Sequence, residues 1–378
     1  MKRNIFGKAF LTTVSATAIA GLTLTACGSD NNTGTSGSSS ADGSTAAAGS
    51  AEDCGGKATL TAEGSTAQQN AVALFNQVWG QVCSGKNLSY NPTGSGAGRE
   101  QFIAGNVDFA GSDSALKDEQ IAAAAERCEG NPAWHLPLVF GPIAMAYNIE
   151  GVDKLVLNGD TLAKIFQGQI SNWNDPAIAA LNEGATLPDT AITPIFRSDS
   201  SGTTDNFQKY LAAAAPQAWT KEAGSEFQGG AGEGAQKSAG VVQAVQATPG
   251  SIGYVEKGFA EQAGTPFAQI DTGAGAVELT DETAGKAIDA AKFAAEGNDL
   301  VLDLNSIYGT TEAGAYPLVL ATYNIVCSAG YDAETSAAVK SFMTVAANDG
   351  QGGLSAAGYV PLPEKFKERL LTSIDAIA

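Results

Sequence analysis

Strand-like and helix-like patterns alternate along this chain, and short turns of glycine and hydroxyl residues recur where a strand-like run ends. Gly64-Ser-Thr66 follows a strand pattern at 57–62 and leads into a helical one at 68–83, where Val72, Phe75, Val78, Trp79 and Val82 share a face. Gly94-Ser-Gly96 follows a strand at 87–91 and precedes a short helix at 99–104. Ser112-Asp113 ends a strand at 107–111, ahead of a helix at 117–127. This alternation predicts α/β layers with mainly parallel strands. Open sheets of that kind bind ligands at the carboxyl ends of their strands, where these turns fall. The run from Gly94 to Gly98 lacks the G-x-G-x-x-G spacing of a dinucleotide site.

The most informative turn is Phe196-Arg-Ser-Asp-Ser-Ser-Gly-Thr-Thr-Asp-Asn-Phe207. An apolar strand at 191–196 precedes it, and a helix at 205–215 follows with Phe207, Tyr210 and Leu211 on one face. The N–H groups that open a helix have no intrahelical partner and carry the positive end of its dipole. Ser201, Gly202 and Thr203 add hydroxyls and close access to the backbone. Arg197 adds a permanently charged planar fork suited to a tetrahedral oxyanion. The stretch reads as an anion cradle; on its own it reads equally well as a Ser/Thr helix cap beside a surface arginine.

The remaining pattern is a long apolar strand at 136–149, a helix at 161–167 and a turn at 171–175 around Trp173. A glycine-rich loop at 227–240, a helix at 241–247 and a strand at 250–255 follow. A helix at 282–295, a strand at 316–326 and helices at 333–346 and 364–377 close the chain. The length of 378 residues suits two domains. The net charge of −19 argues against nucleic acid and anionic membrane surfaces as partners, and it means an anion site must work through local donors.

Residues 1–26 read as a lipoprotein signal peptide: Lys2, Arg3 and Lys8, an apolar stretch, then Leu24-Thr-Ala-Cys27, with Cys27 as the lipidated residue. Residues 27–53 read as a flexible tether. In an exported chain Cys54, Cys83, Cys128 and Cys327 are expected in two disulfides. Cys54 begins the first strand and Cys83 ends the first helix; a strand–helix unit returns the chain to its starting edge. That predicts Cys54–Cys83 and leaves Cys128–Cys327. The cysteine spacing and a single histidine, His135, do not suit a metal site, and no cofactor is expected.

Taken in order, Gly64-Ser-Thr66, Gly94-Ser-Gly96, the run from Val107 to Asp113 and the run from Arg197 to Thr203 resemble the phosphate-binding protein of the high-affinity Pst-type ABC importer. The runs from Ile165 to Trp173 and from Pro249 to Glu256 add to the likeness, which covers nearly all of the chain after residue 54. The resemblance implies an α/β, two-lobed periplasmic-binding-protein-like (type II solute-binding) fold with phosphate in the cleft. Lobe I would be 54–146 and 265–378, and lobe II 147–264. It implies phosphate donors at Thr66, Ala67, Ser95, Ser201, Gly202 and Thr203, with Arg197 oriented by Asp199 and Asp113 as a buried acceptor. Ala67 stands where the family often has an aromatic residue and contributes its backbone N–H. The expected protein is a lipid-anchored, extracytoplasmic monomer, not an enzyme, handing phosphate to the permease and ATPase subunits of an ABC importer. The alternatives are a receptor for sulfate or molybdate, a phosphatase using Ser201, and a surface adhesin.

Overall fold

The computed structural model describes residues 54–378, so Cys27, the signal peptide and the whole of the tether lie outside the described residues. The first third runs β1 (Thr59–Gly64), α1 (Gln69–Val82), β2 (Asn87–Pro92), α2 (Ser95–Ile103), β3 (Phe109–Ser112), α3 (Asp118–Arg127) and β4 (Ala133–Tyr147). The middle runs β5 (Val156–Asn158), α4 (Gly159–Phe166), α5 (Pro176–Ala179), β6 (Thr193–Arg197), α6 (Gly202–Ala214), β7 (Glu233–Ala235), α7 (Lys237–Ala247), β8 (Ser251–Glu256) and α8 (Lys257–Gln262). The last third runs β9 (Gln269–Asp271), β10 (Ala276–Val277), α9 (Asp281–Asp289), β11 (Lys292–Phe293), β12 (Leu302–Asp303), α10 (Asn305–Tyr308), β13 (Val319–Cys327), α11 (Ala333–Asn348) and α12 (Glu364–Asp375).

The main sheet has the order β2-β1-β3-β13-β4-β8-β6-β7. Its two flanks are parallel, as the alternation predicts: β1 with β2 and β3, and β6 with β7 and β8. The centre departs from that expectation. β13 runs antiparallel to both β3 and β4, and β4 runs antiparallel to β8. The reason is connectivity: β13 re-enters from the far end of the chain, with no crossover helix to force it parallel. β4 pairs with β13 as far as Pro142 and with β8 from Ile143 onward, so one strand joins the two flanks. Both central strands are buried, with Leu136, Leu138, Phe140, Met145, Leu320 and Ile325 fully inside.

Each flank has its own packed helices. Trp79 of α1 meets Phe342 of α11 edge-on, with ring centroids 5.4 Å apart. On the other flank Phe207 of α6 stacks on Tyr254 of β8 at 4.5 Å, and Phe166 of α4 meets Phe207 at 4.9 Å. These contacts hold α6 against the sheet with the expected face of Phe207, Tyr210 and Leu211 buried.

Cys54–Cys83 and Cys128–Cys327 are both disulfides, with Cα separations of 5.2 and 5.4 Å. Trp173 packs its turn, buried and donating Nε1–H to the Gly250 carbonyl at 2.9 Å. Several elements shift from the predicted bounds. The loop at 227–240 holds β7 and the start of α7, and the helix expected at 282–295 stops at Asp289. There Lys292 and Phe293 pair instead with Asp303 and Leu302. Pairing with a distant strand overrides local helical preference at that point.

Candidate anion-binding site

Three helix starts carry the predicted residues, and a fourth joins them. Thr66 and Ala67 stand just before α1, Ser95 opens α2, and Ser201, Gly202 and Thr203 open α6. The fourth, α7, opens with Lys237 and Ser238 and was not foreseen. The starts of α1 and α2 have no side-chain cap, whereas in α7 the Lys237 and Ser238 N–H groups donate to Asp199 Oδ1 at 2.9 Å and Thr66 Oγ1 at 3.3 Å. In α6, Ser201 Oγ accepts the Thr204 N–H at 3.2 Å and no other donor among the described residues. The N–H groups of Gly202 and Thr203 have no acceptor among the described residues. Uncapped helix starts of this kind favour an anion.

Long-range contacts bring these starts together. Thr66 Oγ1 lies 2.8 Å from Ser238 Oγ. The Gly96 N–H donates to the Ser200 carbonyl at 3.1 Å. A Cβ placed on Gly202 would stand 2.6 Å from Ser95 Oγ and 2.6 Å from Asp113 Cβ, so only glycine permits this approach of α6 to β3 and α2. Ala67 is fully buried, and its N–H donates to Ser65 Oγ at 3.0 Å.

Arg197, at the end of β6, is buried. Its Nε donates to Asp199 Oδ1 at 2.8 Å, and its Nη2 donates to Asp199 Oδ2. This leaves Nη1 without a partner among the described residues. Burial alone would lower the guanidinium, but the Asp199 hydrogen bonds and charge outweigh it and hold Arg197 above its ordinary value. Burial likewise works against the Asp199 charge, and the bond from Arg197 overcomes it, so Asp199 stays below its ordinary value. Asp199 Oδ1 also accepts the Lys237 N–H at 2.9 Å, tying the start of α7 to the arginine. Lys237 holds a left-handed backbone, φ 63°, to make that contact.

Asp113 is the buried acceptor. Its Oδ1 receives the hydroxyls of Ser65 at 2.6 Å and Thr322 at 2.9 Å, and its Oδ2 receives that of Ser95 at 3.0 Å. A carboxylate has about four lone-pair positions, so Oδ2 keeps one open. Burial pushes the carboxyl up to about 6, against the hydrogen bonds from Ser65, Thr322 and Ser95 and with the charge of Glu256 adding to the rise. A second buried carboxylate therefore stands close by. Glu256, ending β8, accepts the Thr203 hydroxyl at 2.6 Å through Oε1.

A domain model of the PBP superfamily matches residues 34–349. Phosphate-binding protein PstS 3 of Mycobacterium tuberculosis is 49% identical over 380 residues, covering 100% of both chains. Phosphate-binding protein PstS 2 of the same organism is 50% identical over 369 residues, covering 97% of this chain and 98% of its own. The chain belongs to the PstS family. Among solved structures, a high-affinity periplasmic phosphate-binding protein determined with phosphate bound aligns at a TM-score of 0.66 and 22% identity. The alignment covers 83% of this chain and 93% of that one, and it shows a shared fold.

In this PstS-family chain the partners that sequence reasoning missed are Ser65, Thr322, Ser238, Glu256 and Arg99. Ser65 and Glu256 lie inside runs that carried the resemblance, without a role of their own there. Thr322 is one polar residue in the apolar strand β13. A register shift between Thr322 and Tyr323 is the kind of bulge that re-aims a side chain. Arg99 is buried on α2 and donates to Gln120, to Ser112 at 2.9 Å and to Ser225 at 3.1 Å. Its charge has no carboxylate in direct contact among the described residues, and burial lowers it from its ordinary value. No sequence signal separates Arg99 from a surface arginine. His135 is buried and structural, with Nδ1 on Asp299 at 2.7 Å and Nε2 accepting the Leu116 N–H at 2.9 Å.

Proposed function

We propose that this chain is an extracytoplasmic receptor, lipid-anchored through Cys27, that binds inorganic phosphate with high affinity. It would act as a monomer and hand its ligand to the permease and ATPase subunits of an ABC importer. The observation that carries this reading is Asp113, a buried carboxylate with one open lone pair amid uncapped helix starts. A carboxylate beside an anion is repelled unless the anion brings a proton. Phosphate near neutral pH carries one or two, and sulfate carries none, so Asp113 favours phosphate.

The proposed donors are the hydroxyls of Thr66 and Ser201, the N–H groups of Gly202 and Thr203 and the guanidinium of Arg197, together with the Ser95 hydroxyl and the Ala67 N–H, which donate to Asp113 and Ser65 in this structure and would exchange to the ligand. Each hydrogen bond to a charged partner contributes about 1.5–3 kcal/mol, so seven or more sustain tight binding after the costs of ordering. Membership of the PstS family and the names of its relatives support phosphate as the ligand. The ring nitrogens of His135 are both engaged elsewhere, which favours binding over hydrolysis at Ser201. The two lobes would be 54–146 with 265–378, and 147–264. The change of partner along β4 at Pro142 and Ile143 supports a crossing on that strand.

The test is a thermal-shift panel of phosphate, arsenate, sulfate and molybdate. At 100 times its dissociation constant a ligand adds about 2.7 kcal/mol of stability. Stabilisation by phosphate and arsenate alone is expected; equal stabilisation by sulfate or molybdate would replace phosphate with a general oxyanion reading.

A further inference from the structure

A hydroxyl has one proton to give, and an ionised carboxylate only accepts. Thr203 Oγ1 stands 2.6 Å from Glu256 Oε1, so its proton is committed to Glu256 and lone pairs are what Oγ1 has left. Both side chains are buried, with Thr203 and Glu256 each 1% exposed, so water does not compete for that proton. Thr203 is the second residue of α6, next to Gly202, whose Cβ position abuts Asp113 Oδ2 at 2.8 Å. The open lone pair of Asp113 and the lone pairs of Thr203 Oγ1 therefore belong to one small region. Glu256 Oε2 is buried without a partner among the described residues, so the carboxylate is held by the threonine bond. The charged groups whose fields couple to Glu256 are Asp113 and Arg197, with the Tyr359 hydroxyl beside them. Its neighbour Lys257 is occupied by Glu261 and Asp281.

Resting on the phosphate reading, we propose that Glu256 is a positioning residue for specificity. By taking the Thr203 hydroxyl proton it makes Thr203 Oγ1 a second acceptor in the site, beside Asp113, so the site selects the doubly protonated form of a tetrahedral oxyanion. A ligand P–OH donates to Oγ1. An unprotonated oxygen meets lone pairs there, as it does at Asp113. The backbone N–H of Thr203 remains a donor throughout, so Thr203 contributes one donor and one acceptor.

The experiment measures phosphate and sulfate affinities by calorimetry between pH 7 and pH 8.5, for the wild type, Glu256→Gln and Glu256→Met. In wild type the apparent phosphate affinity should fall with pH, by up to about tenfold per unit, as the doubly protonated fraction shrinks. In Glu256→Met the Thr203 hydroxyl is free to turn and donate, and in Glu256→Gln the amide can donate to Oγ1 with the same result. Both should flatten the profile and narrow the preference for phosphate over sulfate by about tenfold, the worth of one such hydrogen bond. Variants that bind phosphate with the wild-type slope and preference would overturn the proposal. So would a wild-type affinity that is flat over this range, a result that needs no variant to fold. A wild type that binds no phosphate at all would overturn the function proposed above along with it.

Discussion

Thr66 and Ser238 are 172 residues apart, yet their hydroxyl oxygens lie 2.8 Å from each other, joining the approach to α1 with the start of α7. With the lobes proposed here, this contact crosses the cleft, as do Ser114 Oγ to Asp205 Oδ2 at 2.6 Å and Arg99 to Ser225 at 3.1 Å. We predict that phosphate closes the lobes and that these contacts form with closure. X-ray scattering should give a smaller radius for phosphate-saturated protein than for protein stripped of ligand. Ser238→Ala should weaken binding by about 1 kcal/mol, the worth of a neutral hydrogen bond. Identical scattering curves would reject closure.

Arg197 is predicted to be the largest single contributor to binding. It is buried, and Asp199 holds two of its nitrogens in place. Arg197→Ala removes the charge and strands Asp199, so the loss should be about 2–5 kcal/mol, as for a broken buried charge pair. Titration calorimetry reads this directly. A loss under tenfold would mean that the ligand's charge is met chiefly by the helix starts.

Asp113 gives a pH signature in the ligand-free protein. Its carboxyl is raised by burial from 3.8 to about 6. Between those values the folded chain holds a proton that the unfolded chain has released. Stability from this group is therefore present below the ordinary value and lost as pH rises through about 6. At roughly 1.4 kcal/mol per unit, the ionised carboxylate costs the empty site about 3 kcal/mol at neutral pH. Asp113→Asn should raise the melting temperature of phosphate-free protein at pH 7 and remove part of its change between pH 4 and pH 6. The same variant should discriminate less between phosphate and sulfate, since an amide can donate to an unprotonated oxygen. An unchanged ratio of the two dissociation constants would remove Asp113 as a proton reader.

Gly202 should tolerate no side chain. Alanine there would place Cβ 2.6 Å from both Ser95 Oγ and Asp113 Cβ, forcing α6 away from the site. Overpacking of this kind costs about 1–3 kcal/mol, and the expected result is loss of phosphate binding with the fold retained. Gly285→Ala on α9 is the control: its Cβ meets nothing within 4 Å, so it should melt no lower than wild type. Wild-type affinity in Gly202→Ala would show that α6 has slack.

What the sequence by itself determined is local. Helix starts follow from small polar residues after apolar strands, because capping and dipole effects act within about one turn. That made the turns holding Thr66, Ser95 and Ser201 to Thr203 legible, while the pairing of Asp199 with Arg197 came from the family resemblance and the pairing of the four cysteines from the return of a strand–helix unit to its starting edge. The parallel flanks followed from the same alternation of elements. Only the tertiary structure decided what each donor faces. Thr322 reaches Asp113 across 209 residues, and Glu256 takes the Thr203 proton across 53. Both contacts depend on which strands adjoin. β13 inserts antiparallel beside β3, so Thr322 comes alongside the end of β3, where Asp113 stands. The closing stretch of β8 sets Glu256 beside the start of α6, held there by the stacking of Phe207 on Tyr254. A hydroxyl can donate or accept, and nothing within a turn of Thr203 chooses between them. The choice is made by a carboxylate that the fold, and not the neighbouring sequence, places within hydrogen-bond distance.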